Sequence, residues 1–280
     1  MRIPLHSSDF YHQAKREVKL SESEYFEMNR VGWDRRARSH FDSSFYDVDG
    51  FLSGDTSLRE IELAELDGVS GKRLLHLQCH FGMDTLSWAR EGAVCTGVDI
   101  SPVAIQQAQE LAEKLSLQAE FVCADVYSFQ QPSPALFDIV YTSYGAVCWL
   151  PDLNRWAEVI SSNLAVGGRF YMAEFHPIYD LLAGYSYFTR VEPDVEEEGT
   201  YTENGADVVA RFAVWAHPLS AVINALIKVG IQIERVNEFP FSPYNCFEGL
   251  VEREPGRFYL NHKGNDVPLV YSITGRKVAC

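Results

Sequence analysis

The run Leu74-Leu75-His76-Leu77-Gln78-Cys79-His80-Phe81-Gly82, followed by Thr96-Gly97-Val98-Asp99, constrains the fold more than any other part of the chain. An apolar stretch breaks into a tight turn, a short helical segment follows, and a second apolar stretch ends in a carboxylate. This is the βαβ layout of a nucleoside-binding half-sheet, in which a ribose rests against the acid closing the second strand. A dinucleotide pyrophosphate needs G-x-G-x-x-G so that backbone can press against it. Here Gly82 stands alone, with Gln78 and His80 where the other glycines would fall. The turn therefore argues against NAD or FAD and for a nucleoside ligand without phosphates.

Alternation continues on both sides of Asp125. Strands are expected at 73–78, 93–98, 120–123, 137–142 and 169–174, with helices at 83–91, from Ser101-Pro102 to about Leu115, and from Asp152 to Leu164, the last ended by Gly167-Gly168. Ser101 is an N-cap followed by proline at the first helical position. Such alternation predicts an α/β fold, a doubly wound and mostly parallel seven-stranded sheet covered on both faces. His217-Pro218 opens a helix to Lys228, with His217 read as its cap and Gly230 as its stop, then a strand at 231–239 and a last one at 269–274.

Residues 1–72 read as a helical extension that folds over the sheet as a lid, and 73–280 as the sheet domain with insertions at about 176–216 and 240–262. Ser21-Glu22-Ser23-Glu24 is a capping box ahead of a helix whose broken apolar face is Tyr25, Met28, Val31 or Gly32, and Phe41. Ser57 with Glu60 gives a second start, leading through Leu58, Ile61, Leu63 and Leu66 to Gly68 and Gly71. The acidic run Glu196-Glu197-Glu198 is expected as a solvated loop, since like charges repel.

Charge narrows the partners. A formal net charge of −15 repels phosphate backbones, so nucleic acid is excluded as a substrate class, and the cluster Arg35-Arg36-Ala37-Arg38 reads as a helix face. No apolar run approaches the roughly 20 residues of a membrane span, and Met1 to Asp9 lacks the apolar core of a secretory signal. Six cysteines without CxxC spacing suit a reducing cytosol, with no zinc site or disulfide framework, and Cys95 and Cys123 read as small buried side chains. The expectation is a cytoplasmic monomer or homodimer with a small-molecule partner, no nucleic acid, no membrane and no metal.

With these residues in order, the chain resembles the class I S-adenosylmethionine-dependent methyltransferases. The resemblance is strong from Leu74 to Glu174 and looser over 217–239 and 269–278. The 74–82 run is similar to the first motif of that family, Asp99 to its ribose-binding acid, Ala124-Asp125-Val126 to its adenine-edge motif, and Phe137-Asp138-Ile139-Val140 to its fourth strand. Asn163 to Phe170 is similar to its turn before the fifth strand, with Val166 in place of proline. The His-Leu-Gln-Cys-His-Phe-Gly form resembles a subgroup acting on small molecules. The resemblance implies S-adenosyl-L-methionine as cofactor, S-adenosyl-L-homocysteine as product, and methyl transfer to a small acceptor. A non-catalytic sensor or partner module binding the same cofactor is the alternative.

Residue roles follow. Asp99 would accept both ribose hydroxyls; Ile100 and Val126 would sandwich adenine, with Ser101, Ala124 and Asp125 at its edge. Gln78, Cys79, His80, Phe81 and Gly82 would form the cofactor turn, Asp84 and Ser143 would serve its methionine end, and Trp33 would close over it. In-line transfer chiefly needs proximity and exclusion of water, with a base only where the acceptor must lose a proton. His176 is the candidate base, Glu174 could bind an amine, and Tyr144 with Trp149 would contact the acceptor. The aromatic loops with Tyr185, Tyr187, Phe188, Phe239, Phe241, Tyr244 and Phe247 offer walls for an apolar or cationic acceptor.

Overall fold

The computed structural model describes residues 20–130, 135–205 and 208–279. Met1 to Asp9, the Pro-rich turn at 131–134 and Cys280 lie outside the described residues. Three helices come first: α1 (Glu22–Phe41), α2 (Val48–Ser53) and α3 (Glu60–Glu65). Then β1 (Arg73–Leu77), α4 (Met83–Arg90), β2 (Val94–Asp99), α5 (Pro102–Leu115), β3 (Ala119–Cys123), β4 (Phe137–Ser143), α6 (Leu153–Asn163) and β5 (Leu164–Phe175) alternate as expected. After them come α7 (Ile178–Leu182), β6 (Asp194–Glu198), β7 (Ala210–Val214), α8 (Leu219–Lys228) and β8 (Ile231–Phe239). Four short strands, β9 (Val251–Glu254), β10 (Arg257–Tyr259), β11 (Asn261–His262) and β12 (Asn265–Asp266), precede β13 (Val270–Lys277).

Caps explain the helix starts. Ser21 and Glu24 bond reciprocally across the first turn of α1, the Ser101 hydroxyl accepts Ala104 N–H at 3.1 Å, and Asp152 accepts Asn154 N–H at 2.8 Å. Other starts differ from expectation. Ser57 does not cap α3: its hydroxyl donates to Asp84 Oδ1, and Arg59 is the N-cap, with its N–H held by Glu62. His217 is not a cap either, because its Nε2 meets Leu150 O at 2.7 Å and Pro218 starts α8. Gly167-Gly168 lies inside β5, since α6 already ends at Asn163.

The main sheet has the order β3-β2-β1-β4-β5-β13-β8, parallel from β3 through β5, with β13 antiparallel to both neighbours. Strand order reverses between β1 and β4, and the crevice beyond their carboxyl ends is the switch point of this topology. One face of the sheet packs on α6 and α8 around the fully buried Trp156, the other on α4 and α5 around Leu86, Leu111 and Trp88.

The acidic run is a strand rather than a loop. β6 pairs antiparallel with β7, and repulsion along it is relieved where Glu198 meets Arg36 of α1 at 2.9 Å. Arg36 is correspondingly buried on the α1 face that meets this hairpin. Cys95 is buried, but Cys123 is exposed at the end of β3, contrary to expectation. No described helix is long and apolar enough to cross a membrane.

Candidate functional site

The turn after β1 keeps the backbone of a glycine-rich loop with few glycines. Gln78, His80 and Gly82 stand at φ +59°, +51° and +77°, the left-handed region that side chains disfavour. Contacts hold the two non-glycine residues there. Gln78 Nε2 donates across the switch point to Ala146 O at 2.7 Å, and His80 N–H donates to Asp99 Oδ2 at 2.8 Å. Asp99 Oδ1 accepts Ser101 N–H at 2.9 Å, so both carboxylate oxygens are aimed by backbone at the end of β2. Burial pushes the Asp99 carboxyl up to about 6, against the lowering effect of these N–H donors.

Side chains of this turn divide between cleft and core. Cys79 and Phe81, both expected in the cofactor turn, bury their side chains in the hydrophobic core, which leaves them their backbone groups. A Cβ on Gly82 would come within 2.6 Å of the Phe121 ring and 2.9 Å of Ala108, so its bareness serves packing rather than a ligand. Val126 likewise packs in the core with Val98 and Phe129 instead of facing an open slot. Gln78 Oε1 and His80 Nδ1 of this turn are buried without hydrogen-bond partners.

Around Asp99 the segment that follows β3 is held by hydrogen bonds. Ala124 N–H donates to Asp99 O at 2.9 Å, and Asp125 Oδ1 accepts Tyr127 N–H at 3.1 Å, leaving its second oxygen. Ile100 is half-buried, with its carbonyl facing the Cys123 thiol. Asp84 accepts Ser57 Oγ at 2.6 Å and Ser143 Oγ at 3.1 Å, which joins α4 to the end of β4.

α1 lies across this arrangement. Trp33 comes within 5.3 Å of the His80 ring and 5.2 Å of Trp149, and Asp34 Oδ1 accepts Ser101 Oγ at 2.6 Å. His40 Nδ1 lies 3.0 Å from His80 Nε2, while its other nitrogen bonds Thr200 of the β6–β7 connection. Burial and the Arg36 charge push His40 down to about 3, so it is neutral. Tyr46 adds a ring 4.8 Å from Phe81 and a hydroxyl contact to Tyr201.

The three residues expected to do chemistry fare differently. His176 has no free nitrogen: Nδ1 accepts Ile178 N–H at 3.1 Å and Nε2 donates to Glu238 at 2.9 Å. It pins the turn after β5 and is not placed as a base. Glu174 accepts the N–H groups of Gly145, of Ala146 at 2.8 Å, of Val147 at 3.0 Å and of Phe175 at 2.7 Å. Its carboxylate clamps the turn after β4 and has no lone pair left for an amine. Tyr144 is half-buried, its hydroxyl is donated to Glu62 Oε2 at 2.8 Å, and its ring lies 5.1 Å from Tyr244.

Sequence reasoning missed Asp34, Arg36, His40, Tyr46, Arg59, Glu62 and Tyr201. A signal existed for some of them: Asn29, Trp33, Arg36 and His40 recur at helical spacing along one face of α1, and three of these four are buried polar residues.

Comparison with known proteins agrees with this geometry. Residues 74–168 match the family model described as a methyltransferase domain. The ubiquinone biosynthesis O-methyltransferase of Idiomarina loihiensis is 25% identical over 135 residues, 47% of this chain and 55% of that protein. Its counterpart from Xanthomonas euvesicatoria is 25% identical over 180 residues, 63% of this chain and 69% of that protein. The first of these matches thus spans about half the length of the relative. A solved SAM-dependent methyltransferase from Methanosarcina mazei shares the fold at a TM-score of 0.57 and 18% identity, covering 80% of this chain and 99% of that one. With the strand order and the reversed β13, residues 74–168 form a methyltransferase domain in a fold shared with solved SAM-dependent methyltransferases.

Proposed function

We propose that this protein transfers a methyl group from S-adenosyl-L-methionine to a small-molecule acceptor by in-line displacement. The observation that carries the reading is Asp99, whose two oxygens are fixed by His80 N–H and Ser101 N–H beside a turn with unpartnered polar atoms. Each oxygen keeps a lone pair for a ribose hydroxyl. Gln78 Oε1 and the Asp84–Ser143 pair suit the methionine amine, the backbone of Ala124 and Asp125 suits the adenine edge, and the Trp33 ring closes the cleft. The cofactor, when bound, supplies a methyl carbon on a positively charged sulfur. The chain contributes alignment and exclusion of water, with Trp33 and Trp149 as the apolar roof.

A small acceptor fits a chain of net charge −15, which disfavours nucleic acid. The names of the relatives favour an oxygen acceptor. The reading includes a cytoplasmic setting, no membrane partner and a monomer or homodimer. It is tested by calorimetric binding of S-adenosylhomocysteine to the wild type and to Asp99→Ala. Loss of two charge-assisted bonds predicts about 100-fold weaker binding in the variant. Unchanged affinity would refute the site, and binding without transfer of labelled methyl to any member of a metabolite panel would leave a sensor instead.

A further inference from the structure

We propose that His76 is a positioning residue for the cofactor: acting through Ser143, it holds Asp84 as the anion that meets the methionine amine. This rests on the methyltransferase reading and adds to it the residue that sets one of its ligand groups. His76 lies within β1, 2% exposed, between Leu75 and Leu77 and with the Tyr141 ring 4.8 Å away. An apolar side chain would fill this place in a central parallel strand without desolvating two ring nitrogens. Both nitrogens are nonetheless used. Nδ1 stands 2.8 Å from Thr85 Oγ1, and Nε2 stands 3.3 Å from Ser143 Oγ.

The protons along this line fix one another. Ser143 Oγ lies 3.1 Å from Asp84 Oδ2, and an ionised carboxylate only accepts, so the Ser143 proton points at Asp84. The Ser143 oxygen is then left to accept from His76, which puts the ring proton on Nε2. Burial pushes His76 down to about 4, so the ring is neutral and carries that one proton. Its Nδ1 becomes the acceptor for the Thr85 hydroxyl. Thr85, His76 and Ser143 all donate in one direction, each bond polarising the next, and the line ends on Asp84.

Asp84 stands where a cationic group is wanted. It is half-buried in the first turn of α4, directly after the cofactor turn, and Ser143 ends β4. The pair therefore lies at the carboxyl ends of β1 and β4, where the strand order reverses. The Asp84 charge acts on Tyr46, whose ring is 5.6 Å from that of His80. Hydroxyls hold both carboxylate oxygens, Ser57 on Oδ1 at 2.6 Å and Ser143 on Oδ2, with the Tyr141 hydroxyl farther off at 3.5 Å. Among the described residues no cation forms an ion pair with Asp84. Oδ1, with Ser57 as its one partner there, keeps a lone pair for an ammonium group.

The test compares two ligands on the full chain by calorimetry: S-adenosylhomocysteine, and methylthioadenosine, which lacks the amine and the carboxylate. The ratio of their affinities isolates the methionine end. In His76→Leu that ratio should fall about tenfold while methylthioadenosine binds as before. His76→Gln, which offers an N–H near the place of Nε2, should recover most of the loss. Decarboxylated S-adenosylhomocysteine, which keeps the amine, should lose as much as the parent in His76→Leu. Nitrogen NMR of the wild type should show His76 as the neutral Nε2–H form, its signals identified by their absence from His76→Gln. That measurement stands whether or not His76→Leu folds. A wild-type ratio near one, an unchanged ratio, or a loss confined to the ligand with a carboxylate overturns the positioning role alone. So does equal weakening of both ligands in His76→Leu, the mark of a merely structural residue, or a proton found on Nδ1. A wild type that binds neither ligand overturns the methyltransferase reading and the role of His76 with it.

Discussion

Two side-chain-bearing residues, Gln78 and His80, hold left-handed backbone in the turn after β1, where each costs roughly 1–2 kcal/mol against an ordinary conformation. Strain of this kind persists where surrounding contacts over-determine it, and it concentrates at functional sites. The motif was legible, because spacing and the closing Asp99 survive the exchange of glycines. Which atoms face the ligand was not, since Gly82 owes its bareness to Phe121 across the sheet. Gly82→Ala should therefore lose about 3 kcal/mol, combining backbone strain with overpacking. Gly68→Ala, at φ +58° with nothing within 4 Å of a new Cβ, should lose only about 1 kcal/mol. Urea unfolding of both distinguishes packing from conformation, and equal losses would remove the packing argument. Asp99 carries a second prediction. A ribose needs the ionised carboxyl, so S-adenosylhomocysteine affinity should fall as pH drops through about 6, up to tenfold per pH unit. Calorimetry at a series of pH values should find that slope in the wild type and none in Asp99→Asn.

Helices and strands of the sheet follow from periodicity and caps, which are local; α5 and β8 lie where the sequence puts them. The elements around the sheet do not. α1 carries Asn29, Trp33, Arg36 and His40 on a face that an amphipathic reading assigns to solvent, because polar residues count against burial. What buries them is β7, 184 residues away: Asn29 Nδ2 donates to Ala213 O and Asn29 Oδ1 accepts Ala213 N–H, both at 2.8 Å. The side chain amide thus substitutes for a neighbouring strand, and the Glu196-Glu197-Glu198 run becomes a strand because Arg36 meets its last carboxylate. Gly32 lets the helix approach, since a Cβ there would stand 2.3 Å from the Phe212 ring. In an exposed helix Gly→Ala gains about 1 kcal/mol. Here Gly32→Ala should instead lose about 1–2 kcal/mol as the ring is displaced. Faster hydrogen exchange at Ala213 N–H and quicker dissociation of S-adenosylhomocysteine should accompany it. A stabilised variant with unchanged exchange would show that α1 does not seat on Phe212.

Across the molecule, the cleft is assembled from segments remote in sequence: His80 with His40, Arg36 with Glu198, Tyr144 with Glu62. A mostly parallel sheet was readable from alternation alone, whereas its strand order and these pairings depend on how the chain folds back. That is why His176 and Glu174, well placed by topology, proved to be consumed, the first by Ile178 N–H and Glu238, the second by the backbone of the turn after β4. The same burial of ionisable groups sets how stability responds to pH. Burial pushes His76 down to about 4, so the native state refuses a proton that the unfolded chain takes below 6.5, and stability falls with pH across that window. Glu62 acts in the opposite sense. Its carboxyl is raised from 4.5 to about 8, so the native state keeps a proton that the unfolded chain has released, and stability falls as pH rises between those values. From about 4.5 to 6.5 the two oppose each other, together with Asp99, whose carboxyl is raised from 3.8 to about 6. Above 6.5 these histidine and Asp99 contributions are complete, and Glu62 remains. Stability should then decline from pH 6.5 to 8 by on the order of 2 kcal/mol, a single proton's slope of about 1.4 kcal/mol per unit. Glu62→Gln removes the titration and should flatten the decline, although its amide costs some stability at every pH. Urea unfolding of both proteins across this range measures the difference in slope. Parallel curves would mean that Glu62 is ionised in the native state, and that the buried carboxyl is stabilised by something other than Tyr144 and Arg59 N–H.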